Sequence, residues 1–305
     1  MKRCVVLFAF LIVLSPILYG QQLDPVSRWA TIAGSEFNVR PNIVYNKANN
    51  IDLRLEVITL DNTKKPRPTL IYIHGGGWVG GSKEQYEFEV LPFLAHGMNA
   101  VNVEYRLASA SLAPAAVEDC RCALRWVYDH AKEYGFDTSH LVVEGHSAGG
   151  HLSLMTGMLT PSAGFDNECP EHIIQGKLEN LKVAAIVNYF GITDVADLLQ
   201  GPNTRTWAQM WLGSQPHRME LARRLSPLSY VRKGLPPIIT LQGDKDPLVP
   251  YSQGVRLHKA LDAAGVPNEL VTIPGGGHDG WSREENLRAQ AAVFSFLEAH
   301  GILPR

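Results

Sequence analysis

The sequence predicts an α/β domain, a mostly parallel sheet with helices on both faces. Three observations lead there. Short unbroken apolar runs recur, as in TLIYIH at 69–74 and VAAIVNY at 183–189, the pattern of strands buried on both faces. Helical segments alternate with them. The chain is 45% hydrophobic, enough to offset the entropy of ordering its 305 residues. No repeat, heptad or low-complexity tract competes with this reading. The net charge of −2 favours neither nucleic acid nor an acidic membrane surface as partner.

The elements follow in order. Lys2 and Arg3 precede the apolar run Cys4 to Leu14, then Ser15-Pro16 and a small residue, Gly20, before Gln21-Gln22. This is the layout of a secretory signal peptide over residues 1–20, cleaved after Gly20. The run is short for a membrane span, which needs about 20 residues, so an uncleaved anchor is the lesser alternative. A secreted or periplasmic chain of residues 21–305 follows, read as a single domain without stable membrane insertion. IDLRLEVITL at 51–60 alternates like an antiparallel strand with one wet face, and a Lys- and Pro-rich turn at 61–68 leads to the strand at 69–74. MNAVNVEY at 98–105 is the next strand. Pro114 opens a helix whose apolar positions, from Val117 to Tyr134, step by three and four until Gly135. HLVVEG at 140–145 is a strand and Ala148 to Leu159 a helix. Strands at 183–189, 237–243 and 269–274 follow, with helices at about 251–264 and 283–299. Residues 191–235 break the alternation and read as a small cap-like insertion over the carboxyl edge of the sheet, where such folds bind ligands.

Chemistry gathers at three post-strand loops. Gly145-His146-Ser147-Ala148-Gly149 sits between a strand and an apolar helix, the context of a Gly-x-Ser-x-Gly nucleophile elbow. His74-Gly75-Gly76-Gly77-Trp78 also follows a buried strand, and its glycines let backbone N–H groups approach a ligand. It is not a phosphate loop, because the Gly-Lys-Ser/Thr ending is missing. Asp246 and His278 follow the last two strands. A serine hydroxyl is a weak nucleophile and needs a histidine base, which in turn needs a carboxylate to orient it. The order Ser, Asp, His is that of the α/β-hydrolase fold. Asp244 is the rival acid, with capping or bracing of its loop as its other role. Asp279 adjoins the histidine and is poorly placed to orient it.

Other conspicuous residues have plainer readings. His146 shapes the elbow, His151 packs in the following helix, and their spacing does not suit a metal. His74 organises the glycine loop. Trp78, Trp207 and Trp211 are candidate pocket residues, with core packing as the competing role. Cys120, Cys122 and Cys169 read as three small buried residues, while a disulfide from Cys169 to either partner stays open in an oxidising compartment.

HGGGW at 74–78, EYRLA at 104–108, PAAVEDCRCALRWV at 114–127, GHSAGGHL at 145–152 and the pair Asp246 and His278 together resemble an α/β-hydrolase esterase. The group is the hormone-sensitive-lipase-like one, and within it the bacterial feruloyl and acetyl-xylan esterase branch (BD-FAE-like). The resemblance spans about residues 45–300. It implies Ser147 as nucleophile, His278 as base, Asp246 as orienting acid, and an oxyanion hole from the N–H groups of Gly76, Gly77 and Ala148, with Gly75 a further participant. GHSAG stands where many lipase-like members have GDSAG, and the N-terminal cap is short, which favours small acyl groups. The implied activity is hydrolysis of short-chain acyl esters, including acetyl or feruloyl esters of carbohydrate, by an acyl-enzyme route that needs no metal or organic cofactor. An amide hydrolase similar to kynurenine formamidase is one alternative, and a binding protein on a hydrolase scaffold is another. A peptidase is a weaker third, since no propeller or other accessory domain is seen.

Overall fold

A computed structural model describes residues 23–60, 65–169 and 181–304. The expected signal segment 1–20 lies outside the described residues, as do residues 61–64 of the expected turn. The chain divides into two compact units, Met1–Ser35 and Glu36–Arg305. Helix α1 (Pro25–Glu36) is capped by Asp24, whose Oδ1 accepts from the N–H groups of Val26 and Ser27 at 3.0 and 3.1 Å.

Among the described residues the second unit is built on eight strands. They are β1 (Phe37–Ala48), β2 (Ile51–Leu60), β3 (Arg67–Ile73), β4 (Asn99–Val103), β5 (Phe136–His146), β6 (Ala185–Tyr189), β7 (Ile238–Gly243) and β8 (Asn268–Ile273). Their order is β1-β2-β4-β3-β5-β6-β7-β8, antiparallel at β1–β2 and β2–β4 and parallel from there on. This is the α/β-hydrolase arrangement that the sequence predicts.

Alternation along β3 shows how the sheet is covered. Ile71 and Ile73 join one core with helices α3 (Ala115–Asp129), α5 (Ala148–Met158) and α8 (Tyr251–Ala263), through Leu124, Leu152 and Leu257. Leu70 and Tyr72 face the other way and join Phe93 of α2 (Leu91–Ala95) and Phe294 and Leu297 of α9 (Arg283–Ala299). Among the described residues no helix is long and apolar enough to cross a membrane.

Three expectations need correction, and one strand went unrecognised. The long helix from Pro114 to Gly135 breaks at His130 into α3 and a single turn, α4 (Ala131–Tyr134), which Gly135 ends at φ 68°. The face of β2 expected to be wet is largely covered, since Glu56 and Ile58 are buried along with Leu55 and Val57. β1 is an edge strand that the alternation did not reveal. Pro41 and Asn42 interrupt its pairing, with a register shift between Arg40 and Ile43. Finally, Cys122 and Cys169 form a disulfide, and among the described residues Cys120 is left as a free buried thiol. The favoured reading of three unpaired cysteines fails because the segment after α5 returns along α3. There Arg121 also pairs with Asp166 through two hydrogen bonds of 2.8 and 2.9 Å.

Residues 191–235 fold as α6 (Thr206–Leu212), α7 (Arg218–Arg224) and short 3-10 turns between β6 and β7.

Candidate active site

β5 ends at His146 and α5 begins at Ala148, so Ser147 stands on the turn itself. Its backbone has φ 57° and ψ −118°, a strained conformation for any residue but glycine. The flanking glycines are sterically required. A Cβ on Gly145 would lie 2.4 Å from the Gly149 carbonyl, and one on Gly149 would lie 2.0 Å from the Ile73 oxygen. Close approach of α5 to the end of β3 therefore sets the glycine loop beside the serine.

The loops after β7 and β8 bring the other two residues in. His278 Nδ1–H donates to Asp246 Oδ2 at 2.7 Å. That fixes the tautomer, so Nε2 is the acceptor for the Ser147 hydroxyl at 2.8 Å. Asp246 is itself held, because its Oδ1 accepts from the N–H groups of Leu248 and Val249 at 2.8 and 2.9 Å. Its side chain is wholly buried. Asp244 takes the bracing role, its Oδ1 accepting from Gly275 N–H at 2.7 Å, which ties the two loops together. Asp279 is exposed, and the His278 Nδ1–H is already committed to Asp246.

The glycine loop is equally determined. Gly76 has φ 114°, and a Cβ there would fall 2.0 Å from the Gly80 oxygen, which admits glycine alone. Val79 and Gly80 close the turn by donating to the Gly76 oxygen at 3.1 and 3.0 Å. Beneath it, buried His74 donates from Nδ1 to the Gly75 oxygen at 2.7 Å and stacks on Tyr105 with centroids 4.3 Å apart. Burial lowers the His74 pKa to about 4, so the ring is neutral near pH 7. Ala148, the first residue of α5, carries one of the N–H groups that a helix leaves without an intrahelical acceptor.

These groups open into a cavity of about 460 Å³ whose wall includes Gly76, Gly77, Ser147, His278, Phe190 and Trp207. Of the three candidate tryptophans only Trp207 lines it. Trp78 and Trp211 are fully buried and stack on each other with centroids 4.0 Å apart, and Trp78 Nε1–H donates to His151 Nδ1 at 3.2 Å. His151 completes that core network by donating from Nε2 to the Leu225 oxygen at 2.7 Å. His146 lines the cavity beside the elbow. Sequence reasoning missed Val79, Tyr86, Glu89, Phe190 and Leu248, which also line the wall. Phe190 has φ 42°, a left-handed backbone that no local sequence signal announces, and its ring lies 4.5 Å from that of His278. A hydroxyl held in this way, beside backbone N–H donors, is equipped to attack a carbonyl carbon.

Comparison with known proteins places this arrangement. The BD-FAE family model matches residues 55–261. Esterase LipC of Mycobacterium tuberculosis is 29% identical over 227 residues, covering 72% of this chain and 54% of LipC. The chain spans about half the length of the curated relatives it matches. Among solved structures, the thermophilic esterase Est2 of Thermogutta terrifontis superposes with a TM-score of 0.72 at 29% identity, covering 88% of this chain and 93% of Est2. Est2 has also been solved with propionate and with butyrate bound. A truncated carbohydrate esterase from gut microbiota gives a TM-score of 0.70 at 26% identity, covering 87% of this chain and 96% of that one. With a family-model match over residues 55–261 and an esterase structure that superposes on 88% of it, this chain belongs to the BD-FAE family and folds as an α/β-hydrolase.

Proposed function

We propose that the protein is a secreted serine carboxylesterase that cleaves short-chain acyl esters, including acetyl or feruloyl esters of carbohydrate. One observation carries the reading: the hydrogen-bonded series from Asp246 through His278 to Ser147, with lengths of 2.7 and 2.8 Å, opening into a cavity beside a glycine loop. In this reading Ser147 Oγ attacks the ester carbonyl as its proton passes to His278 Nε2. The tetrahedral intermediate collapses, and the same proton leaves with the alcohol, giving an acyl-enzyme. A water molecule then attacks, His278 takes its proton, and collapse returns that proton to Ser147 as the acid departs. Asp246 holds the imidazole and stabilises its charged form. The N–H groups of Gly76, Gly77 and Ala148 receive the oxyanion, each donor worth about 3 kcal/mol in known cases. No step calls on a metal or an organic cofactor.

Relatives described as esterases support the class, and the propionate and butyrate complexes of Est2 support small acyl groups. The gut carbohydrate esterase supports a carbohydrate ester. Secretion is read from residues 1–20 and agrees with the disulfide, which persists in oxidising compartments. The expected processed form begins at Gln21, which N-terminal mass analysis of the exported protein checks.

The deciding experiment compares the protein with Ser147→Ala on p-nitrophenyl esters from acetate to dodecanoate. Fastest turnover on the shortest chains, lost on substitution, is the expected result. A peak on long chains would replace the short-chain reading with a lipase. A folded protein that turns over no ester would sink the reading and leave an amide hydrolase or a binding scaffold.

A further inference from the structure

The cavity that holds Ser147 and His278 does not end at the catalytic pair. A second cavity of about 330 Å³ adjoins it, and the two share Glu89, His146, Phe190 and Asp279 in their walls. Among the described residues, the charged side chains lining the pair of cavities are Glu89 and Asp279, and no lysine or arginine stands with them. Both carboxylates are exposed and line both lobes, and partial burial against the wall raises the Glu89 carboxyl above its ordinary range.

The second lobe is also aromatic. Tyr189, Phe190 and Trp281 line it and pack on one another, with Phe190 and Trp281 edge to face at 5.5 Å and Tyr189 and Phe190 edge to face at 6.2 Å. The strained backbone of Phe190, at φ 42°, sets its ring between this lobe and the one that contains His278. Carboxylates combined with aromatic rings are what binds an ammonium group well. The ring faces attract the cation through their quadrupole, and the carboxylates attract it through space. A neutral alcohol gains little from such a wall, and an anionic one is repelled.

Resting on the esterase reading above, we propose that this double cavity selects esters bearing a cationic ammonium group. The reacting carbonyl would lie at Ser147, and the ammonium group would lie between Glu89, Asp279 and the wall of Tyr189, Phe190 and Trp281. The two carboxylates are then specificity-determining residues for the same reaction. The preference is largely electrostatic, so it weakens as salt screens it.

The test compares acetylcholine with its neutral carbon isostere, 3,3-dimethylbutyl acetate, using p-nitrophenyl acetate as a reference. At an ionic strength of about 0.01 M, the expected kcat/KM is about tenfold higher for the cation, a size set by two partly screened charges. At about 0.5 M that ratio shrinks several-fold. Glu89→Gln and Asp279→Asn, which keep shape and remove charge, each lower the ratio, and the double variant brings it within about twofold of unity. Equal turnover of the two esters by the unsubstituted protein overturns the proposal and leaves the esterase reading standing. A ratio that neither salt nor the double variant moves also overturns it. Loss of turnover on all three esters overturns both.

Discussion

Ser147 joins the two requirements of the site in one residue. Its backbone at φ 57° and ψ −118° is tolerated only because Gly145 and Gly149 let β3 and α5 close around it. In the proposed reaction its hydroxyl needs His278 to present Nε2 as the acceptor, and that tautomer depends on Asp246 accepting from Nδ1. Asp246→Asn therefore has a specific expected outcome. The amide can donate to Nδ1 and move the imidazole proton to Nε2, where it can no longer take the proton of the serine. A fall in kcat of about 10⁴ is expected with little change in melting temperature, since Leu248 and Val249 can still donate to the side-chain oxygen. A fall below tenfold on p-nitrophenyl acetate would remove Asp246 from the mechanism. The tryptophans teach the opposite lesson. Trp78 follows three glycines, but its own φ of 60° turns the ring down to His151 and Trp211 and away from the cavity.

At the level of elements, α3 is tied to the chain on both sides of it. Asp119 accepts from the guanidinium of Arg106 at 2.7 to 3.0 Å and from its backbone N–H at 2.8 Å, which fixes the loop leaving β4. One turn further on, Arg121 and Cys122 hold the segment that follows α5. The Cys122–Cys169 bridge closes a stretch of 47 residues that contains β5, Ser147 and α5. Cross-linking a stretch of that size stabilises by about 2–4 kcal/mol, mainly by restricting the unfolded chain. Cys122→Ser should thus lower the unfolding midpoint clearly in oxidised protein. Reductant should lower the unsubstituted protein to match it and leave the variant unmoved. If reductant shifts both alike, the bridge is not what stabilises this region.

Across the whole molecule, buried neutral histidines set a response to acid. Burial lowers the pKa of His74 and His151 from 6.5 to about 4. Between those values the unfolded chain binds protons that the folded chain does not. Their contribution is therefore complete above about pH 6.5 and is lost as pH falls toward about 4, each worth up to about 3 kcal/mol. Glu118, raised to about 7 by burial, works in the opposite direction, because its folded form holds a proton that the unfolded form gives up. The informative quantity is a difference between variants. His151→Gln can still accept from Trp78 and donate to Leu225, and it does not titrate. Its loss of midpoint between about pH 7 and about pH 4.5 should be smaller than that of the unsubstituted protein, by roughly the share of one histidine. Equal losses would show that His151 is not protonated on unfolding.

The alternation of strands and helices, the elbow, the glycine loop and the series Ser147, His278 and Asp246 are legible in the order of residues alone. These follow from local rules. Apolar runs mark buried strands, glycine marks backbone that must approach backbone, and post-strand loops collect at one edge of a parallel sheet. Asp246 was separable from Asp244 only by preference, since both leave the same strand, and their roles depend on which side chain reaches across to the loop after β8. The partner of Cys169, the burial of Trp78 and Trp211, the covered face of β2, and the second lobe with Glu89 and Phe190 emerge from the packing of the folded chain. Each of these depends on segments far apart in the chain, or on a backbone angle that no residue type dictates, so periodicity and spacing carry no record of them.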